Sequence, residues 1–161
     1  MEIKENQALA RGRSLPVSTK QCVEICSFLR GKKLSKAQTD LEKVLDFKQA
    51  VPYKRHKHKI PHRSGNMAAG RYPLKASKEM LKILRSVEAN AKHKGLSTNL
   101  KIIHILANKA SSPMHHGRIR GRSMKRTHLE IVVEEQSKKV EKPTPKNKVK
   151  DETKIIGEKN D

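Results

Sequence analysis

The chain has 161 residues, 37 of them Lys or Arg against 16 Asp or Glu, for a formal net charge of +21 and a pI near 10.2. A chain this basic condenses on polyanions, and nucleic acid is the commonest one inside cells. With 2% aromatics and no Trp it lacks the large apolar side chains of a membrane-surface helix, and its most apolar run, IIHILA at 102–107, is far below the roughly 20 residues of a spanning helix.

Residues 1–17 are basic and irregular, without an apolar leader, and a short edge strand is expected around Leu9–Val17. Ser18 or Thr19 can cap a first helix whose apolar stripe is Cys22, Ile25, Cys26 and Leu29, with Val23 flanking. The two cysteines share that stripe and read as small buried hydrophobes rather than metal or redox groups. With no disulfide framework, a reducing cytoplasm is the expected compartment. Gly31 stops the helix. Ser35 and Gln38 then have the spacing of a capping box, predicting a second helix with Ala37, Leu41, Val44 and Leu45 inward and Pro52 ending the helical region.

Residues 53–73, YKRHKHKIPHRSGNMAAGRYP, show neither period nor core content and read as a long functional loop. A third and longest helix follows Pro73, with Ala76, Met80, Ile83, Leu84, Val87 and Ala91 on one side and Gly95 as its C-terminal glycine. Two strands are expected next, about 99–110 and 119–134. The second alternates Leu129, Ile131 and Val133 with Glu130, Val132 and Glu134. Residues 136–161 are Lys- and Glu-rich with two prolines and no aromatic, the composition of a disordered tail. The expected architecture is α+β. Three helices pack on a small antiparallel sheet, and the two last strands, longer than those helices can cover, form a long protruding β-hairpin. Residues 1–135 would make one domain.

Eight histidines invite a metal or catalytic reading. None falls in H-E-x-x-H, no Cys lies at zinc-finger spacing, and Lys and Arg flank them, which disfavours a dication. No nucleophile elbow or phosphate-cradling GxxxxGK[ST] loop is present, so no catalytic residue, metal, cofactor or small-molecule substrate is expected. The basic loops carry more information. In 54–63 five Lys/Arg and three His occur without an acid, and 109–126 holds six cations (Lys109, Arg118, Arg120, Arg122, Lys125, Arg126) and no acid. Neither loop has internal counter-charge in its own sequence, so each is expected to order only against an external polyanion. Four aromatics cannot build single-strand stacking platforms, and no helix-turn-helix or zinc finger is present to read DNA. Backbone and shape recognition of folded RNA remains.

Particular stretches then carry a resemblance: RGKKL at 30–34, VPYKRH at 51–56, PHR at 61–63, GRYPLKAS at 70–77, NAKHKGL at 90–96, P-x-x-x-G-R at 113–118 and HLEIVVEE at 128–135. Together they resemble the universal large-subunit ribosomal protein family numbered twenty-two in bacteria and seventeen in eukaryotes, over roughly residues 10–135. The 51–73 loop is similar to the insert of its archaeal and eukaryotic members, whereas RGRSMKRTH at 120–128 looks more like the bacterial return arm. The resemblance implies ribosomal RNA binding, early large-subunit assembly, and a β-hairpin reaching the wall of the peptide exit tunnel. It implies that Met114, His115, His116, Gly117 and Arg118 form the tunnel-facing tip, and that Arg118, Arg120, Arg122, Lys125 and Arg126 line the arm against RNA. Arg55, His56, His62, Arg63 and Arg71 would anchor the insert. Arg11, Arg13, Lys20, Lys32, Lys33, Lys54, Lys57, Lys59 and Lys75 complete the expected RNA-binding set. Neighbouring ribosomal proteins and the nascent peptide are the other implied partners, in the cytoplasmic ribosome and without a membrane. A free RNA chaperone or regulatory RNA-binding protein is the alternative that the charge also allows.

Overall fold

A computed structural model describes residues 4–136. The expected tail, 136–161, lies outside the described residues apart from Gln136. Along the chain run β1 (Gln7–Leu15), α1 (Thr19–Leu29), α2 (Leu34–Leu45), β2 (Val51–Pro52), β3 (Gly70–Arg71), α3 (Leu74–His93), β4 (Leu100–Lys109) and β5 (Thr127–Glu135). The main sheet is antiparallel with order β1-β5-β4, and β2 and β3 form a separate two-stranded ladder. All three helices contribute to one core: α3 lies along β1, α1 against β4, and α2 on α3. The α+β class is therefore as expected.

The helical stripes are buried as the spacing predicts. Cys22, Ile25, Cys26 and Leu29 face the core from α1, and Ala76, Met80, Ile83, Leu84, Val87 and Ala91 from α3. On β5, Leu129, Ile131 and Val133 point inward. Val132 is also buried, because Leu9 and His104 flank it across the outer face. Gly12 permits the close seat of α3 on β1: a Cβ there would lie 2.5 Å from the Ile83 Cδ1.

Two local expectations are corrected. The capping box does not form: Lys33 is the N-cap of α2, and Gln38 instead donates from Nε2 to Glu88 Oε2 of α3 at 3.0 Å. Leu34 is the reason. It is 3% exposed, and starting the helix there buries it, while the preceding turn adds to the β4 edge through Gly31 N–H to Ile102 O and Ile102 N–H to Lys32 O. The 53–73 loop is not without core content either. Tyr53 is buried and Ile60 and Ala69 pack on the core. The segment closes on itself through Tyr53 N–H to Ala69 O and Arg63 N–H to Ala68 O.

The hairpin is regular only up to the Lys109–Thr127 pair, so β5 begins at Thr127 and not near 119. Beyond that pair the ribbon continues through single bonds, Ala110 N–H to Arg126 O, Met124 N–H to Pro113 O and His115 N–H to Arg122 O. Pro113 has no N–H to offer, and the run lacks the alternating apolar residues that hold a ladder. The turn itself is 116–121, with a 3-10 turn at Gly117–Ile119. Met114 and His115 thus sit on the incoming arm opposite Ser123 and Arg122, while Arg118 and Arg120 sit in the turn rather than on the arm.

What aims this ribbon is its root. Thr127 is fully buried, donates from Oγ1 to Val17 O at 3.0 Å, and lies 2.9 Å from the Thr19 hydroxyl at the start of α1. Arg126 donates to Ser14 O, and Ser14 N–H donates to His128 Nδ1. Replacing Thr127 with Val keeps the shape but leaves the Val17 carbonyl unpaired, so a loss of about 1–2 kcal/mol is expected in denaturant unfolding. Thr127→Ser should recover most of it; equal losses for both variants would deny the hydroxyl its role.

Candidate nucleic-acid interface

The start of α1 organises the basic side of the molecule. Ser18 occupies the N-cap position but makes no side-chain cap bond, and the first turn contains no acid. The positive end of the helix dipole is therefore open, with backbone N–H groups available to an anion. Two clefts meet there. One, about 440 Å³, is lined by Pro16, Val17, Ser18, Gln21 and Lys75 and by the ribbon residues His115, Arg122, Ser123, Met124, Lys125 and Arg126. The other, about 470 Å³, is lined by Ser18, Thr19, Lys20, Val23, His56, Lys109, Ser112, Lys125 and Arg126. No acid lines either cleft.

The fold thus gathers Lys20, His56, Lys75, Arg122, Lys125 and Arg126 from separate stretches of sequence. Lys109, part of the basic run but not of the expected ligand set, joins them. Among the described residues the ion pairs lie elsewhere: Arg11–Glu130, Lys32–Asp40, Lys48–Asp46, Lys82–Glu79, Arg85–Glu42 and Lys92–Glu88. Such an acid-free pair of clefts around an uncapped helix end suits phosphate oxygens.

Other expected residues fall outside these clefts. Arg11 and Arg13 flank a separate depression with Asn108 and His128 on the sheet, and Arg11 already has Glu130 as partner. Lys32 is engaged internally, paired with buried Asp40 and placed 3.4 Å from the Phe28 ring centroid. Lys33 is exposed at the α1–α2 turn. Lys54, Arg55, Lys57, Lys59, His62, Arg63 and Arg71 are exposed along the insert, where Arg71 donates to Lys59 O and Arg63 lies over Tyr72. At the ribbon end, Met114 is 60% exposed and His116, Gly117, Arg118 and Arg120 are exposed as well.

The insert also has an internal anchor that its own sequence does not reveal. Glu24 of α1 is 1% exposed, and its carboxylate accepts three backbone N–H bonds, from Lys54 (3.0 Å), Arg55 (2.9 Å) and His56 (2.7 Å). Burial pushes its pKa up, but those three donors and the nearby His56 outweigh burial and hold it below the ordinary carboxylate value. The expectation that 54–63 orders only against an external polyanion is corrected: one end of it is fixed by an acid thirty residues away. The sequence signal was the absence of any acid from 47 to 78, which obliges an ordered segment to borrow one.

Burial pushes both thiols, Cys22 and Cys26, up to about 12, consistent with inert core residues. No group of three or more His, Cys, Asp or Glu is arranged to hold a metal among the described residues.

Comparison with known proteins then decides the family. Residues 10–134 match the family model described as ribosomal protein L22p/L17e. The chain belongs to that family. It is 45% identical over 141 residues to the large ribosomal subunit protein uL22 of Archaeoglobus fulgidus, covering 83% of this chain and 91% of the relative. Proteins of the same name from Methanococcus aeolicus and Ignicoccus hospitalis are each 40% identical, covering 80% and 81% of this chain and 89% of each relative. The matched span runs from the middle of β1 to the end of β5, so it includes the insert, the ribbon and both clefts. The archaeal character of these relatives agrees with the resemblance carried by the 51–73 insert.

Proposed function

We propose that the chain is a structural constituent of the large ribosomal subunit in the cytoplasm, holding large-subunit ribosomal RNA in the two clefts at the start of α1. The observation that carries this reading is the convergence of Lys20, Lys75, Lys109, Arg122, Lys125 and Arg126 on an uncapped helix end with no acid in either cleft. The names of its relatives support the particle. The insert and its exposed cations extend the RNA-facing surface, and neighbouring ribosomal proteins complete the setting. Its role is to shape and hold RNA during assembly rather than to catalyse a reaction.

The ribbon end is read as reaching the wall of the peptide exit tunnel, with Met114, His115, His116, Gly117 and Arg118 facing the nascent peptide. A division of labour tests this. Replacing Met114–Gly117 with Gly and Ser removes no permanent charge, so incorporation into large subunits should stay near normal while elongation of tunnel-sensitive peptides changes. Quantifying the variant in purified particles, beside ribosome profiling on such peptides, checks both halves. Loss of the variant from particles would overturn the assignment of the tip.

A further inference from the structure

Each of the three helices is followed, two residues past its last helical position, by a residue with positive φ, but the residue is not the same. Gly31, after α1, has φ +76°, and Gly95, after α3, has φ +72°. The residue in the equivalent place after α2 is Phe47, with φ +60°. The bonds of the last turn are those of a Schellman cap at both α2 and α3. Phe47 N–H donates to Val44 O and Lys48 N–H to Lys43 O, as Gly95 N–H donates to Lys92 O and Leu96 N–H to Ala91 O. A left-handed backbone suits Gly or Asn and strains an aromatic residue, so the position would be more stable without the ring. The ring is also not buried as recompense: Phe47 is 60% exposed.

Its surroundings suggest a use. The Phe47 ring leans on Tyr72, with centroids 5.3 Å apart and planes at 55°, and the Arg63 guanidinium lies 5.4 Å from the Tyr72 ring centroid. Arg63, Tyr72 and Phe47 thus make a short chain of contacts at the base of the insert, with the two rings tilted rather than parallel and Phe47 left largely exposed. The neighbouring acid, Asp46, is paired with Lys48 at 3.2 Å. From 47 to 78 the chain has nine Lys or Arg and no acid. The geometry points to a stacking site for one unpaired nucleobase on the free side of Phe47, with Arg63 and the adjacent cations taking the flanking phosphates. Aromatic faces accept any base, and an unstacked base in folded RNA supplies the flat partner. Charge complementarity favours RNA over a protein side chain as the occupant.

This site rests on the RNA-binding reading above, and the test separates the two. The full chain is titrated with two RNA duplexes that differ by one unpaired nucleotide, a single-nucleotide bulge carrying 2-aminopurine. Tighter binding to the bulged duplex is expected, by roughly tenfold, with quenching of the 2-aminopurine emission on stacking. Phe47→Asn keeps a residue suited to the left-handed backbone and removes the ring, so it should fold at least as well, lose the preference and the quenching, and still bind the paired duplex. Phe47→Trp should retain both signals. Equal affinity of the unaltered chain for the two duplexes would overturn the stacking site alone. Failure to bind either duplex would overturn the RNA reading with it. A Phe47→Asn variant that keeps the preference and the quenching would assign the ring to a protein neighbour instead.

Discussion

Replacing Arg120, Arg122 and Lys125 together with Gln is expected to weaken binding to large-subunit ribosomal RNA by about a thousandfold. All three are exposed, and none belongs to an ion pair among the described residues. A charge-assisted contact to phosphate contributes about 1.5 kcal/mol at the low end, so three together account for about 4–5 kcal/mol. Arg126 is left in place because its guanidinium also holds Ser14 O at the root of the ribbon, and its loss would mix folding with binding. The salt dependence supplies an independent check. If about six phosphates are engaged, affinity of the unaltered chain falls about a thousandfold between 50 and 200 mM salt, and the variant should lower the slope by about three. Thermal unfolding should be unchanged. A variant with weaker binding but the same salt slope would show that these side chains do not meet phosphates.

Glu24→Ala is expected to cost about 3 kcal/mol of folding stability at neutral pH and to release the start of the insert. Three backbone N–H groups lose a charged acceptor in a place where Glu24 itself is 1% exposed. Hydrogen bonds to a charged group contribute about 1.5–3 kcal/mol each, but the three here share one carboxylate and are part-buried, so water can replace part of what is lost and the net cost is about 3 kcal/mol rather than the sum of three. Glu24→Gln should lose nearly as much, since the amide offers one acceptor oxygen in place of two. The sign with pH follows from the lowered carboxyl. Its unfolded value is about 4.5, so its stabilisation is complete above that pH and fades as pH falls through the lower folded value. Denaturant titrations of both chains should therefore differ most at pH 7 and approach each other in acid. Amide exchange would show faster exchange at Lys54, Arg55 and His56 in the variant. Unchanged protection there would mean that the insert is held by the Val51–Pro52 and Gly70–Arg71 ladder alone.

These two experiments probe different physics. The ribbon cations act outward, on a partner, and their effect is screened by salt. Glu24 acts inward, in a desolvated spot, and its effect follows protonation.

The sequence by itself determined the helices and the inward face of β5 from Leu129 on, and it set the expectation of a polyanionic partner. Apolar residues three and four apart leave a helix one way to bury them, which is why the stripes on α1 and α3 were legible, while Glu24, Ser77 and Leu81 are buried beside them without having been expected. The alternation at Leu129, Ile131 and Val133 marks an inward strand face for the same reason. A net charge of +21 needs no fold to point to a polyanion.

Tertiary structure alone decided where that charge converges. Lys20, Lys75 and Lys125 lie far apart in the chain, and no local pattern says that the starts of α1 and α3 will face the ribbon. It also decided which cations are withdrawn from the surface: Lys32 looks like its neighbour Lys33 in sequence, yet buried Asp40 and the Phe28 ring take it. Two further features were invisible for the same physical reason. Glu24 sits off the apolar stripe of α1, and Phe47 sits past the last helical period. Each acquires its meaning only from residues that packing brings beside it: the backbone of 54–56 for Glu24, Tyr72 and Arg63 for Phe47. Local periodicity reports what a residue must bury. It carries no information on which distant group will be there when it does.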